Sequence, residues 1–369
     1  MNVGVPAETK DGEHRVAITP DGVRELTAHG HAVRVEQGAG IGSSIGDEDY
    51  RRAGAEVVDT DGAWGAELVV KVKEPQPEEI PRLRADLVLF TYLHLAAYPA
   101  VADAAIDAGT TAIAYETVQL ESGALPLLAP MSEVAGRLAS QIGAHYLERD
   151  AGGRGVLLGG APGVEPARVV VLGAGNAGWN SAWIAQGMEA EVLLLDKDID
   201  RLRVVDQIHK GRIVTMASNR GAVERAVADA DLVIGAVLIA GGRAPTVVTE
   251  DMVKGMKRGS VIIDIAVDQG GCVETTHETT HAEPVYVLHD VIHYAVGNIP
   301  AAVPNTSTYA LTNSTLPFVL TLAERGVADA VRSDAALRRG VNVVGGRITN
   351  PAVAEALGKE AVEPTELLR

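Results

Sequence analysis

Residues 168–178 read RVVVLGAGNAG, an apolar strand that runs straight into Gly173-x-Gly175-x-x-Gly178 and on into a helical pattern. Alone, a G-x-G-x-x-G triplet is weak evidence, because glycine-rich turns also arise for packing alone. Here a strand precedes it, a helix follows it, and a second strand, VLLLD, ends in the acid Asp196 eighteen residues past Gly178. The first glycine permits a tight turn, the second lets backbone approach a pyrophosphate, and the third lets helix and strand pack closely. The helix start offers free N–H groups and partial positive charge to phosphates. A carboxylate at Asp196 accepts the ribose hydroxyls and repels a 2′-phosphate, so the pattern predicts NAD in preference to NADP. Arg201 pulls the other way if it serves a 2′-phosphate; otherwise it is a charge on a solvated helix face.

Outward from this motif the alternation continues. Strands are expected at 168–173, 191–196, 212–215, 231–237 and 259–266, with helices at 178–190, 199–209, 221–230 and 250–257. That is a doubly wound parallel unit in its own right. Upstream, strands are expected at 1–6, 32–36, 67–73, 86–94 and 110–116. A helix begins at Thr19-Pro20, where Thr suits the N-cap and Pro the first turn, and 77–84 reads as helix-like. A long helical stretch, 132–149, leads to AGGRGVLLGGAPGV at 151–164, read as a folded loop because it carries Val156, Leu157 and Leu158. A long helix is expected at 309–324, returning to the first domain. The fold class is α/β, two doubly wound parallel-sheet domains.

Composition agrees. A chain of 369 residues suits two domains, and 47% hydrophobic residues with only 4% aromatics favour Val- and Ala-rich buried strands over an aromatic sandwich. The formal charge of −17, with no basic tract, excludes nucleic acid as a natural partner. The single cysteine, Cys272, excludes an internal disulfide framework and fits a reducing cytoplasm, where it reads as a packed thiol. The N-terminus lacks the apolar core of a signal peptide, and no uninterrupted apolar run approaches the ~20 residues that span a membrane.

Three polar residues fall where strands should end: Lys73 after ELVVKV, His94 after DLVLFTYL, and Asp268 after SVIIDIAV. Ligands of open α/β sheets bind beyond the carboxyl ends of strands, so the placement points to a site. Blander readings stand beside it. Lys71 and Lys73 alternate as an exposed strand face would, His94 suits a satisfied core histidine, Asp268 suits a turn cap, and Arg15 in DGEHRVAIT suits a surface charge. No clustered His/Cys spacing calls for a metal.

Taken together, EHRVAITP (13–20), KVKEP (71–75), LFTYLHLAA (89–97), AYETV (114–118) and LAPMSEVAGRLA (128–139) resemble the alanine dehydrogenase and transhydrogenase alpha-subunit family. So do GGRGVLLGG (152–160), GAGNAG (173–178), ADLVIGAVL (230–238), DIAVDQGGC (264–272) and VPNTSTYALTN (303–313), all in family order. The resemblance implies an NAD-binding Rossmann domain, 127–305, inserted into a substrate domain of 1–126 and 306–369, and a cytoplasmic homohexamer. It implies an enzyme that interconverts L-alanine with pyruvate and ammonium. Arg15 and Lys73 would hold the substrate, and His94 and Asp268 would form the catalytic pair. Ser132, Gly173, Gly175, Asn176, Ala177, Gly178, Asp196, Arg201, Ser218, Val237, Leu238, Ile265, Asp268 and Asn298 fall on cofactor positions. One stretch departs from the family: AVGNIP at 295–300 stands where VANMP is usual, so Gly297 and Ile299, with His293 nearby, bear on the fine substrate preference. A glycine/glyoxylate dehydrogenase and a non-catalytic NAD-binding regulator are the alternatives.

Overall fold

The apolar runs become the strands of two sheets, each in its own compact unit. The computed structural model describes residues 1–237 and 244–368. One unit is Met1–Met131 with Val303–Arg369, and the other is Ser132–Ala302. In chain order β1 (Asn2–Val5), β2 (Ala32–Glu36), β3 (Glu56–Val58), β4 (Leu68–Val70), β5 (Val88–Thr91) and β6 (Thr111–Ala114) come first. The second unit holds β7 (Arg168–Leu172), β8 (Glu191–Asp196), β9 (Ile213–Ala217), β10 (Leu232–Gly235), β11 (Val261–Asp264), β12 (Val285–Leu288) and β13 (Val291–Tyr294). The returning chain adds β14 (Val341–Val344) and β15 (Arg347–Ile348) to the first.

Winding order decides where a site can lie. The first sheet runs β15-β14-β6-β5-β4-β1-β2-β3. The chain builds β1, β2 and β3 to one side, then returns to the other side of β1 with β4, β5 and β6. The carboxyl ends of β1 and β4 therefore flank a switch point, where crossover helices diverge and leave a crevice. The second sheet, β12-β13-β11-β10-β7-β8-β9, has the same feature between β7 and β10. Central strands such as β4, β10 and β11 are buried along their whole length, as a sheet covered on both faces requires.

Each sheet departs from the all-parallel expectation at one edge. β14 runs antiparallel to β6, β15 to β14, and β12 to β13. Gly345 and Gly346, at φ 57° and 72°, make the two-residue turn that joins β14 to β15. The stretch 77–84 forms only the short 3-10 turn Ile80–Arg82, because Pro81 can neither donate a helical bond nor leave the preceding turn unhindered. The helix expected at 309–324 is longer, Pro304–Ser333, and is interrupted at Gly326.

Thr19 caps the helix Pro20–Ala28 by accepting from Gly22 N. The glycine-rich stretch is a folded loop: Leu158 is buried, and Arg154 pairs with Asp231 at 2.5 Å. Burial and the neighbouring Asp264 push the Cys272 thiol well up, so it is an inert packed thiol. Among the described residues no helix is long and apolar enough to cross a membrane.

Candidate active site

At the switch point of the first unit, charged side chains are sorted into pairs. Lys71 is not on an exposed face: it is fully buried, 3.1 Å from Glu8 and 2.8 Å from Glu79. Burial pushes its ammonium down, but the two carboxylates outweigh this and hold it above the usual lysine value. Glu8 also accepts from the backbone N–H of Val72 at 2.6 Å and of Lys73 at 3.2 Å, which fixes the chain where Lys73 emerges. Lys10 pairs with Glu74 at 2.5 Å. Arg15 is buried, not a surface charge. It donates from Nε and Nη2 to the two oxygens of Glu13, at 2.7 and 2.5 Å, and from Nη1 to Met131 Sδ. The returning helix steadies this loop, with Val16 N donating to Thr308 Oγ1 at 3.1 Å.

Lys73 differs from its neighbours. Among the described residues its ammonium has no hydrogen-bond or ion-pair partner. Burial, followed by the positive charges of Arg15 and Lys10, holds it below the usual lysine value. A half-buried cation without a counter-ion beside it is costly, and an anion drawn to it relieves that cost.

His94 lies just past the end of β5, in the left-handed region at φ 46°. Its ring lies flat on Tyr92, with centroids 5.8 Å apart and planes 2° apart. Its side chain is 37% exposed, more than a satisfied core histidine would be. Glu116, at the end of neighbouring β6, accepts from His94 N at 2.7 Å and from Leu93 N. Glu8, Glu13 and Glu116 were passed over in the sequence. The rule that singled out Lys73 and His94, polar residues just past a strand, would have found Glu8 and Glu116.

In the second unit the glycine motif closes β7 and opens the helix Asn176–Gly187. Gly173, at φ 102°, has no room for a Cβ, which would meet Ala236 O at 2.5 Å, and one at Gly178 would overlap Gly173 O. Around Gly175, among the described residues, only Arg201 Nη1, at 3.8 Å, comes within 4 Å of the missing Cβ. No side chain caps the following helix, so its first turn keeps N–H groups for an anion. These features fit a dinucleotide pyrophosphate. Asn176 is exposed here and Ala177 half-buried. Gly136, one turn after Ser132, packs so close to Ala177 that a Cβ would overlap its carbonyl oxygen. Ser132 shares that helix face.

Asp196 ends β8 and accepts from Ala174 N at 2.5 Å and Asp198 N at 2.8 Å, joining the glycine loop to the next helix start. Ser218 N donates to Asp196 O, and Ile265 N to Gly235 O. Val237 packs at the core edge. Leu238 lies outside the described residues. Asp268 is exposed on the turn Val267–Gln269 and accepts weakly from Asn298 N at 3.4 Å. The loop carrying it is pinned by buried Asp264, which accepts from Ala266 N, Cys272 N, Val273 N and Thr276 Oγ1 at 2.7–3.1 Å. Asn298 sits at φ 59°. Beside it, the space an alanine Cβ would take at Gly297 is filled by the Glu278 carboxylate. His293 is a core histidine: it bonds Thr275 Oγ1 and Val291 O, and burial pushes it down to about 4.

Arg15, Lys73 and His94 are thus gathered at the carboxyl ends of the first sheet's strands. The glycine motif, Asp196, Ser218, Val237, Ile265, Asp268 and Asn298 belong to the second unit.

Comparisons with known proteins extend over the whole chain. Residues 4–135 match the family model "Alanine dehydrogenase/PNT, N-terminal domain", and residues 139–351 match "Alanine dehydrogenase/PNT, C-terminal domain". The chain is 55% identical to an alanine dehydrogenase of Mycobacterium tuberculosis (strain ATCC 25618 / H37Rv), covering 100% of each chain. It is 54% identical to that of Bacillus subtilis (strain 168), covering 100% of this chain and 98% of the other. A solved L-alanine dehydrogenase superposes with a TM-score of 0.95 at 50% identity, covering 97% of this chain and 99% of that one. A transhydrogenase from Sinorhizobium meliloti gives 0.82 at 26% identity, covering 95% and 100%. With both family domains matched in order and relatives more than half identical along its full length, the chain belongs to the alanine dehydrogenase/PNT family.

Proposed function

We propose that the chain is an NAD-dependent alanine dehydrogenase that interconverts L-alanine and water with pyruvate and ammonium. The observation that carries this reading is the charge inventory at the first switch point. Lys10 and Arg15 each face one carboxylate and Lys71 faces two, whereas the Lys73 ammonium, among the described residues, lacks a negative charge within ion-pair distance. A monocarboxylate such as alanine or pyruvate supplies it. The names of the relatives support the same substrates.

Bound NAD supplies the hydride acceptor, and the glycine loop, Asp196 and Asn298 are the residues that hold it. Lys73 and Arg15 bind the substrate carboxylate, with Glu13 holding the Arg15 guanidinium in place through Nε and Nη2. Positioning of this kind lowers a barrier by up to ~7–11 kcal/mol. The amine must be neutral before Cα releases hydride, because its lone pair drives the hydride out. The iminium that results is attacked by water, and His94 takes the proton that water gives up. His94 then returns that proton to the amino nitrogen and, as the C–N bond breaks, takes up the hydroxyl proton, leaving pyruvate and ammonia. Asp268 supplies negative charge to the cationic iminium. The same reading makes the enzyme a cytoplasmic homohexamer, in keeping with its reduced Cys272.

The deciding experiment is NADH oxidation with pyruvate, with and without ammonium. Oxidation that requires ammonium supports the reading; NADH binding without turnover replaces it with a regulator. A panel of 2-oxo acids measures what Gly297 and Ile299 do, and a preference for glyoxylate would shift the assignment to glycine.

Asp196 sets the cofactor preference. Asp196→Ala should weaken NADH binding about 10-fold, losing charged hydrogen bonds to the ribose and the brace on Ala174 N. It should also narrow the gap between NADH and NADPH. Dissociation constants for both dinucleotides check this, and a parent enzyme that uses NADP as readily as NAD refutes the role given to Asp196.

A further inference from the structure

We infer that Glu116 is a positioning residue for His94, holding the turn that presents the imidazole and facing it with the anion it needs in turnover. The inference rests on the reading of His94 as the group that moves protons.

Geometry carries it. β5 and β6 are parallel neighbours, paired Thr91 to Ala114 at their carboxyl ends. Past those ends the chain of β5 must turn, and it does so with His94 in a left-handed conformation that L-residues seldom adopt. The N–H groups of Leu93 and His94 lose their sheet partners there, and both point into the Glu116 carboxylate, at 3.2 and 2.7 Å. Tyr92, stacked on the imidazole, donates its hydroxyl to Leu127 O at 2.5 Å and so sets the ring plane. The turn and the ring are thereby fixed from two sides.

Charge adds a second role. Glu116 Oε1 lies 3.9 Å from His94 Nδ1, too far for a hydrogen bond but within ion-pair reach once the ring takes a proton. The Glu116 side chain is 14% exposed, so water screens it little. Nearby, the Glu13 carboxylate is paired with Arg15 and the Glu74 carboxylate with Lys10, whose ammonium also meets the Tyr98 hydroxyl. When His94 takes the proton of the attacking water, Glu116 faces the imidazolium, as the buried acid of a catalytic triad does.

A double-mutant cycle on the full-length protein tests this. Glu116→Gln keeps an oxygen to accept the two amides and removes the charge. It should fold, keep NADH affinity and the KM for pyruvate within about twofold, and lose about 10-fold in kcat. In a His94→Ala background the same change should cost nothing further, because Glu116 acts through His94. An equal loss in both backgrounds, or no loss in the parent, overturns the proposal. His94→Ala with parental kcat overturns the reading of His94 itself and the proposal with it, a result distinct from the other two. If the Gln variant does not fold, the cycle is run with Glu116→Asp, which keeps the charge on a shorter arm and should lower kcat only when His94 is present.

Discussion

Replacing His94 with Ala is expected to leave a folded protein that binds NADH with parental affinity yet turns over at least ~100-fold more slowly. Carbinolamine formation and collapse each need a proton transfer, and an imidazole, with a reference pKa of about 6.5, is the side chain best suited to give and take protons near neutrality. The ring lies just past the end of β5 and is half-exposed, so its removal leaves little cavity. A structural histidine makes the opposite forecast: a lower melting temperature with a near-normal rate while the protein stays folded. Circular dichroism melts run beside single-turnover NADH oxidation separate the two. Normal single-turnover rates in the folded variant would end the mechanism proposed for this residue.

Lys73→Ala should weaken pyruvate binding by about 10- to 100-fold, the range expected for losing one charge-assisted contact in a poorly solvated site. NADH affinity should hold, because Lys73 belongs to the first unit and the glycine loop to the second. Removing the ammonium also relieves its crowding by Arg15 and Lys10, so the variant should melt no lower than the parent. Proton linkage gives a further check. Because the Lys73 ammonium is held low by burial and by like charges, it loses its proton at lower pH than an ordinary lysine. Pyruvate affinity should therefore be full on the acidic side of that transition and fall as pH rises through it, and in Lys73→Ala this alkaline loss should vanish. Calorimetric titration with pyruvate across pH measures both, and parental affinity in the variant would make Lys73 a bystander.

Much of this was legible in the sequence because local rules and tertiary demands agree. The strand 32–36 and the helix 199–209 are found at the expected bounds, and the Thr19 cap and the glycine motif have the predicted geometry. What escaped notice had weaker signals. The hairpin of β14 and β15 was marked by Gly345-Gly346 between apolar runs, yet nothing local says that such a hairpin will dock antiparallel against β6. β12 and β13 turn at His289 and Asp290, both at positive φ without glycine, so no turn residue announces them. Lys71 and Lys73 look alike in KVKEP. Only distant Glu8 and Glu79 decide that one is a structural ion and the other is left to bind. The partners of Arg15 and His94 lie two and twenty-two residues away, at Glu13 and Glu116.

The pairing of β14 with β6 also sets an order of events during synthesis. Ile113 and Val341, which face each other across that ladder, flank the entire second unit in the chain. As the polypeptide leaves the ribosome, β1 to β6 emerge first, and β6 then waits with an open edge while Ser132–Ala302 is made. The second unit contains every strand of its own sheet and can complete itself in that interval. The first unit closes last, when the C-terminal segment arrives to cover the edge. An unpaired β6 in the nascent chain is a ready template for another chain, so the period before closure is when this protein is most exposed to misassembly.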